Sequence, residues 1–326
     1  MLSGSLTIKR LLGAMKQLDA SDLHIKVGMP PIYRIGGHLK KIDATSLLED
    51  ECDHLFDPIL TDEQKARFNA EGNLDFAWHL PEGDRFRIDI FRSGNHVHAA
   101  IRRVKAEIPN YAGLHLPAIY SKIVEENTLG LVLVCGVTGS GKSSTIAAMV
   151  DQINATRDVN IITIEDPIEY RFTPKKSIIS QREVGVDVES FKTALRFVVR
   201  QDPDVIFIGE MRDRETMQAA IQAAETGHMV FGSLHVSDAQ QTFKRILEFF
   251  PRIEHNFIRS SLANSLTAIM CQRLLPGIET GKRFPATEVL LANSIVRDKI
   301  INEEDEDMPA VISQCVEEAM RSFILS

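Results

Sequence analysis

The sequence has few cysteines and no long apolar run. Its four cysteines, Cys52, Cys135, Cys271 and Cys315, are scattered and form no CxxC pair. This spacing excludes a disulfide scaffold and the usual four-thiolate zinc site. The longest stretch without a charged residue, 127–141, is interrupted by glycines and is too short to cross a bilayer. We therefore expect a protein of the reducing cytoplasm that is not inserted in a membrane.

Positive charge is also scarce. Lys and Arg number 37 against 45 Asp and Glu, which gives a net charge of −8 and a pI near 5.7. This balance, without a basic groove lined by aromatic residues, argues against a nucleic-acid partner. With 326 residues, of which 44% are hydrophobic and 25% charged, the chain is long enough for about two globular domains.

The first 104 residues have the pattern of a small mixed α+β unit. Apolar spacing predicts a helix over 6–18 and a strand over 23–27. Ile32–Ile35 reads as a further strand, followed by a Gly-Gly turn. Alternating residues over 74–80 and 86–91 predict a β-hairpin.

From residue 118 onward, short apolar runs alternate with helical segments. The runs cover 131–135, 159–164, 205–209 and 229–234. Strands this apolar are typical of a parallel sheet covered by helices on both faces. We expect the acidic run 303–307 to be a solvated loop. Residues 310–325 have the stripe of an apolar helix that a partner, such as a neighbouring subunit, would cover.

A phosphate-binding loop is the clearest motif. Residues 136–143, GVTGSGKS, match GxxxxGK[ST] between the apolar run 131–135 and a helical segment. Glycines let backbone N–H groups approach phosphate oxygens, and the helix N-terminus adds partial positive charge. We expect Lys142 to reach the β- and γ-phosphates of ATP and Ser143 to ligate Mg²⁺. The predicted nucleotide-binding residues of this loop are Gly136, Val137, Thr138, Gly139, Ser140, Gly141, Lys142, Ser143 and Ser144.

Acidic residues follow two later apolar runs. One run leads into EDPIE at 165–169, and the other ends at Glu210 in a Walker B-like pattern. Carboxylates at the carboxyl ends of parallel strands face the ligand crevice, so we expect acids for Mg²⁺ and for the attacking water there. His228 and His235 flank the run 229–234. Their spacing argues against a metal pair, whereas a γ-phosphate sensor remains open.

The four segments GVTGSGKSS, TIEDPIE, VIFIGEMRD and ETGHMVFGSLH, in this order, resemble the secretion-superfamily hexameric ATPases, above all the PilT-like type IV pilus retraction motors. SDLH at 21–24 and RFRIDIF at 85–91 extend the resemblance to essentially the whole chain. It implies an α/β fold: a PAS-like α+β domain over 1–104, a linker over 105–117, and a RecA-like P-loop ATPase domain over 118–326. That domain would have a mostly parallel sheet and C-terminal helices.

The resemblance also implies catalytic roles. Glu169 would polarise the attacking water, and Glu210 would act through Mg²⁺, which Ser143 would also ligate. His235 would lie near the γ-phosphate or a subunit contact. The implied activity is hydrolysis of ATP to ADP and phosphate, coupled to pilus retraction and twitching motility.

Partners and further contacts follow from the same resemblance. Arg85, Arg87 and Arg102 match N-terminal positions that approach the nucleotide in the family. The alternative for each is an ordinary surface ion pair. The implied assembly is a homohexameric ring at the cytoplasmic face of the inner membrane. Its partners would be an inner-membrane pilus platform protein and, as a further class, other pilus motor ATPases.

One segment departs from the retraction motors. They usually carry AIRNLIRE where this chain has IVRDKIIN at 295–302, which keeps Arg297 and Ile300. An accessory PilU-like motor and a type IV secretion ATPase therefore stay open as alternatives. A nucleotide-gated scaffold with little hydrolysis is a rival from another class, against which the presence of Glu169 and Glu210 counts.

Overall fold

Two units divide the chain, Met1–Ala106 and Glu107–Ser326. The structure is a computed structural model that describes residues 6–80, 84–104, 107–277, 283–316 and 319–325. Each unit is described by itself.

The N-terminal unit is a six-stranded antiparallel sheet in the order β3-β2-β1-β6-β5-β4. Its elements are α1 (Ile8–Gln17), β1 (Ala20–Ile25), β2 (Ile32–Ile35), β3 (His38–Lys41), α2 (Glu49–His54), α3 (Asp62–Glu71), β4 (Asn73–His79), β5 (Arg85–Ser93) and β6 (His96–Val104). The predicted helix and hairpin are confirmed, since Asn73 pairs with Phe91 and His79 with Arg85.

Alternation along β5 decides which face of this sheet is buried. Phe86, Ile88 and Ile90 point into one core, which they share with Leu11 and Leu12 of α1. The intervening residues of β5 lie on the opposite face of the sheet. An antiparallel sheet with helices packed into its core is the α+β arrangement expected of a PAS-like domain.

The C-terminal unit carries the remaining elements. They are α4 (Ile119–Glu126), β7 (Gly130–Cys135), α5 (Lys142–Thr156), β8 (Asn160–Glu165), β9 (Ile178–Glu183), α6 (Phe191–Val198), β10 (Val205–Ile208), α7 (Arg214–Glu225), β11 (Met229–Leu234), α8 (Ala239–Glu248), α9 (His255–Ser265), β12 (Leu266–Pro276), β13 (Arg283–Leu291), α10 (Ser294–Ile301) and α11 (Met308–Gln314). Short 3₁₀ turns cover Arg252–Glu254, Asp305–Asp307 and Phe323–Leu325.

Seven strands form the C-terminal sheet, in the order β13-β12-β7-β11-β10-β8-β9. All neighbouring strands run parallel except β12 and β13. Alternate residues of β7 point to opposite faces of the sheet and belong to two different hydrophobic cores. Leu131 and Leu133 pack with residues of α6–α11, and Val132 and Val134 pack with α4 and α5. The predicted RecA-like, mostly parallel sheet is therefore confirmed, and the loops after β7, β8 and β10 leave its same edge.

One expectation about the C-terminal region was wrong. The helix predicted over 310–325 ends at Gln314, and Arg321 beyond it pairs with Val289 of β13. Its apolar residues, Val311 and Ile312 among them, are covered by the core of the same unit. The acidic run 303–307 is exposed as expected at four of its five residues, whereas Asp305 is half-buried and pairs with the buried Arg259.

The linker predicted over 105–117 stays a prediction. Residues 107–117 belong to the C-terminal unit, and Tyr111 Oη lies 2.5 Å from Gln152 Oε1 of α5. Across the described ranges no helix combines the length and apolar character needed to span a membrane.

Candidate active site

The loop between β7 and α5 adopts a backbone that requires glycine. Gly136, Gly139 and Gly141 have φ angles of 153°, 78° and 92°. A Cβ on Gly136 would lie 2.4 Å from Ser140 Oγ and 2.5 Å from the carbonyl oxygen of Gln272. The loop therefore has no space for a side chain at its first residue, as expected of a phosphate-binding loop built from glycine.

Lys142 lies inside the curl of the loop. Its ammonium donates to the carbonyls of Gly136, at 2.8 Å, and Val137, at 3.3 Å. Burial lowers the pKa of Lys142 from its ordinary value, and the negative charges of Glu210 and Glu169 oppose that shift. A buried lysine stabilised by the charges of two carboxylates can stay protonated and bind an anionic ligand.

Gln272 on β12 supports this loop, and sequence reasoning missed it. Its Nε2 donates to the Ser140 carbonyl at 2.7 Å, and its Oε1 accepts from Thr145 Oγ1 at 2.9 Å. The side chain is 1% exposed. One amide thus ties the loop to the first turn of α5. The available signal was a glutamine at the end of the apolar run 268–271.

Glu210 follows β10 and has an arginine and a histidine as neighbours. Arg212 Nη2 donates to its Oε2 at 2.5 Å, and His235 Nε2 lies 3.2 Å from its Oε1. Burial alone would raise the pKa of Glu210, but the bond from Arg212 and the charges of His235, Arg212 and Lys142 together lower it below the ordinary value. Glu210 is therefore held as a carboxylate, the form that binds a divalent cation.

The acidic segment after β8 contains two glutamates with different surroundings. Glu169 is exposed, and its charge is felt at Lys142. Glu165 is 5% exposed and accepts from Thr163 Oγ1 at 2.6 Å and from Gln181 Nε2 at 3.2 Å. Burial raises the pKa of Glu165 to about 7. The family resemblance selected Glu169 for catalysis. The buried carboxyl of Glu165, at the start of the same segment, was not foreseen.

The two serines at the start of α5 differ in their contacts. Ser143 is half-buried at the start of the helix, next to Lys142. Ser144 Oγ lies 2.7 Å from the hydroxyl of Tyr170, which directly follows Glu169. The predicted nucleotide contact of Ser144 stays a prediction. Its observed partner belongs to the acidic segment.

The histidines that flank β11 have separate environments. His228 Nδ1 lies 2.8 Å from the Ala223 carbonyl and 3.2 Å from Thr226 Oγ1, whereas His235 faces Glu210. The contacts of the two histidines thus lie with different residues. Among the described residues no group of three or more His, Cys, Asp or Glu side chains could hold a metal ion.

The three predicted arginines lie in the N-terminal unit. Arg87 Nη2 lies 2.6 Å from Asp75 Oδ2, and Arg102 Nε lies 3.1 Å from Asp22 Oδ1. Arg85 shares a face of β5 with Arg87. The surface ion pair that was the alternative to a nucleotide contact is present for Arg87 and Arg102. Their nucleotide role stays a prediction.

The segment 295–302 forms most of α10 and is built into the C-terminal unit. Arg297 donates to the carbonyls of Ala292, at 3.2 Å, and Ala263. Val296 and Ile300 are fully buried. The two residues that this segment shares with the retraction-motor pattern, Arg297 and Ile300, therefore hold α10 against its own unit.

The loop fits phosphate and the strand ends fit a magnesium ion. Ser140 Oγ is buried and has no hydrogen-bond partner among the described residues, and residues 137–139 are exposed. The hydroxyl of Ser143 and the carboxylate of Glu210 are oxygen ligands of the kind that Mg²⁺ prefers alongside phosphate and water. Together the RecA-like sheet, the loop and the acidic strand ends define a P-loop nucleotide-binding protein.

Comparison with known proteins gives the family. The sequence model of the type II/IV secretion system proteins matches residues 110–315. The PilT type IV pilus retraction ATPase of Pseudomonas aeruginosa is 38% identical over 305 residues, covering 94% of this chain and 88% of PilT. The type IV pilus ATPase PilU of the same organism is 36% identical, covering 97% of this chain and 82% of PilU.

A solved structure agrees with these relatives. The crystal structure of the pilus retraction motor PilT with bound ADP superposes with a TM-score of 0.86 at 42% identity, covering 95% of this chain and 90% of that one. The chain therefore belongs to the type II/IV secretion system protein family. It is a nucleotide-binding ATPase of the PilT-like branch, as the resemblance predicted.

Proposed function

We propose that this chain is a motor that hydrolyses ATP and uses the energy to retract type IV pili. The observation that supports this proposal most directly is the arrangement around Lys142. Its ammonium is buried in a phosphate loop, and the charges of carboxylates that follow two other parallel strands act on it. The similarity to PilT supports pilus retraction as the mechanical task.

ATP binding would replace contacts that the loop now makes with itself. The ammonium of Lys142 would exchange the carbonyls of Gly136 and Val137 for β- and γ-phosphate oxygens. The backbone N–H groups of the loop and the N-terminus of α5 would hold the remaining oxygens. Because phosphoryl transfer spreads negative charge over the γ-phosphate, these donors would stabilise the transition state more than the bound substrate.

Ser143 and Glu210 are the residues that would hold Mg²⁺. The ion, when bound, supplies positive charge next to the β- and γ-phosphates. Arg212 and His235 keep the Glu210 carboxylate ionised and fix both its oxygens. We propose that His235 also approaches the γ-phosphate from this position.

Glu169 would orient and polarise the attacking water. The carboxylate is exposed on the segment after β8 and lies within electrostatic reach of Lys142. An acceptor there can take a hydrogen bond from water in line with the β–γ bond. Glu169→Gln keeps the size of the side chain and removes its charge, so it separates this role from simple packing.

The test is steady-state phosphate release by the purified chain with Mg·ATP. We expect turnover to fall at least about a hundredfold in Lys142→Ala and Glu210→Gln, because each removes a charge from the transition state. Lys122→Ala, an exposed lysine on α4, is the matched control and should keep full activity. Tight ATP binding without turnover in the unaltered chain would overturn the motor and favour a nucleotide-gated scaffold.

The assembly is part of the proposal. Six copies would form a ring at the cytoplasmic face of the inner membrane and act on a pilus platform protein there. Arg87 and Arg102 would leave their ion pairs and, together with Arg85, approach the nucleotide, and the segment 105–117 would act as the hinge. Light scattering should give six times the chain mass of 36.5 kDa. A cross-link that freezes the hinge should stop retraction but leave ATP binding intact.

An accessory motor is the second candidate, because the chain is nearly as similar to PilU as to PilT. Deleting the gene and recording pilus retraction by fluorescence microscopy separates the two. Complete loss of retraction favours the main motor. Weaker retraction under load, with the unloaded rate preserved, favours the accessory one.

A further inference from the structure

A hydrogen bond joins the acidic segment to the helix that follows the phosphate loop. Tyr170 Oη lies 2.7 Å from Ser144 Oγ, and both side chains are half-buried. Ser144 is in the first turn of α5, two residues after Lys142, and Tyr170 directly follows Glu169. The backbone that carries Glu169 is therefore attached to the helix that carries the phosphate-binding lysine.

Gln181 of β9 fixes the same segment from the other side. Its Nε2 donates to the Tyr170 carbonyl at 2.8 Å, and its Oε1 accepts from the Phe172 N–H at 2.9 Å. The Nε2 also reaches Glu165 Oε1 at 3.2 Å. One amide thereby holds three points of the chain between residues 165 and 172.

Glu165 completes the set at the start of the segment. Its buried carboxyl accepts from Thr163 Oγ1 at 2.6 Å and from the backbone N–H of Glu169. Glu169 itself is exposed, and an exposed side chain on an irregular segment loses entropy when it is held in one place. The surrounding hydrogen bonds reduce that cost by fixing the backbone in advance.

We propose that Tyr170 and Gln181 are positioning residues that hold the Glu169 carboxylate at the phosphate loop, Tyr170 through Ser144 and Gln181 through the backbone. This inference rests on the proposed function, in which Glu169 polarises water. It gives Ser144 a role that needs no contact with nucleotide. Loss of either support leaves ATP binding intact and slows the chemical step.

Tyr170→Phe removes one hydroxyl and tests the inference directly. We expect kcat for phosphate release to fall about fivefold, the equivalent of about 1 kcal/mol for one neutral hydrogen bond, with KM for ATP unchanged. Ser144→Ala should give the same loss, and the double variant should be no slower than either single variant. Tyr120→Phe is the matched control, because the buried Tyr120 hydroxyl has no hydrogen-bond partner among the described residues.

A second arm asks whether Tyr170 acts through Glu169. In the Glu169→Gln background, single-turnover hydrolysis should not slow further when Tyr170→Phe is added. A fresh fivefold loss there, or a rise in KM in place of a fall in kcat, would overturn the inference.

Hydrogen–deuterium exchange keeps the test independent of catalysis. The amides of residues 165–172 should exchange faster in Tyr170→Phe and in Gln181→Leu than in the unaltered chain, because each variant loses a bond to that segment. Exchange that matches the unaltered chain in both variants would refute the positioning role. An inactive unaltered chain with faster exchange in the variants would instead overturn the proposed function, while the anchoring of the segment by Tyr170 and Gln181 would stand.

Discussion

Gln272→Met should loosen the phosphate loop without altering any residue that touches nucleotide in the proposed mechanism. Methionine matches the length of glutamine and lacks both hydrogen-bonding groups. Ser140 and Thr145, the two partners of Gln272, are 2% and 1% exposed. The Ser140 carbonyl and the Thr145 hydroxyl would therefore stay buried without a hydrogen-bond partner, because water does not reach them.

The cost can be worked from those two groups. A buried donor or acceptor without a partner costs about 1 to 3 kcal/mol, so two of them should destabilise the C-terminal unit by about 3 kcal/mol. Thr145→Val removes one of the two bonds and should cost about half as much. The double variant should lose less than the sum of the single losses, because both substitutions break the same contact.

Urea unfolding provides the assay, with two probes. Far-UV circular dichroism reports both units, whereas the single tryptophan, Trp78, lies on β4 of the N-terminal unit. The circular dichroism transition of Gln272→Met should shift to lower urea, while the Trp78 transition serves as the internal reference. ADP affinity, measured by calorimetry, should fall about tenfold. Unchanged unfolding together with unchanged ADP affinity would refute the anchoring role of Gln272.

Three further results are expected. Asp305→Ala should destabilise the chain by about 3 kcal/mol in urea unfolding, because it leaves Arg259 buried without its carboxylate, whereas Glu306→Gln, at an exposed position, should have little effect. Burial raises the pKa of Glu165 to about 7 from an ordinary 4.5, so Glu165 stays protonated to a higher pH in the folded chain than in the unfolded chain. Stability should therefore fall by at most about 3 kcal/mol as the pH rises between those values, and a pH titration of Glu165→Gln that shows the same fall would contradict this assignment. All four thiols are buried, and burial raises the pKa of Cys271 well above its ordinary value. Ellman's reagent should thus label thiols only after urea is added, and rapid labelling of the native chain would contradict the burial.

The parts of the fold that the sequence predicted are those with local causes. The residues of the phosphate loop are contiguous in the chain, and the spacing of its glycines, lysine and serine indicates the backbone conformation of the loop. Strands β7, β8, β10 and β11 of the C-terminal sheet are apolar on both faces, so they stand out as runs, whereas β9 and β13 carry exposed residues and do not. The hairpin of β4 and β5 follows from alternation. In each case the residues that form the feature are neighbours in the chain.

The parts that were missed have causes far away in the chain. Residues 310–325 have helical periodicity, but the helix ends at Gln314 and Arg321 pairs with β13 instead. The acidic run is solvated as its composition indicates, except that Asp305 pairs with a buried arginine of α9. Periodicity and composition describe what a segment can do alone, and they do not report these tertiary contacts.

Each chemical group of the site is supported from the strand next to its own. The loop after β7 is anchored by Gln272 of β12, and the segment after β8 by Gln181 of β9. Glu210 follows β10 and is met by His235, which follows β11. β7 and β12 are adjacent in the sheet but far apart in the chain, so the role of Gln272 becomes identifiable only once the strand order is known. β8 and β9, and likewise β10 and β11, are consecutive in the chain, and His235 was predicted from the sequence. Gln181 was missed because β9 has exposed and partly buried residues and does not stand out as an apolar run.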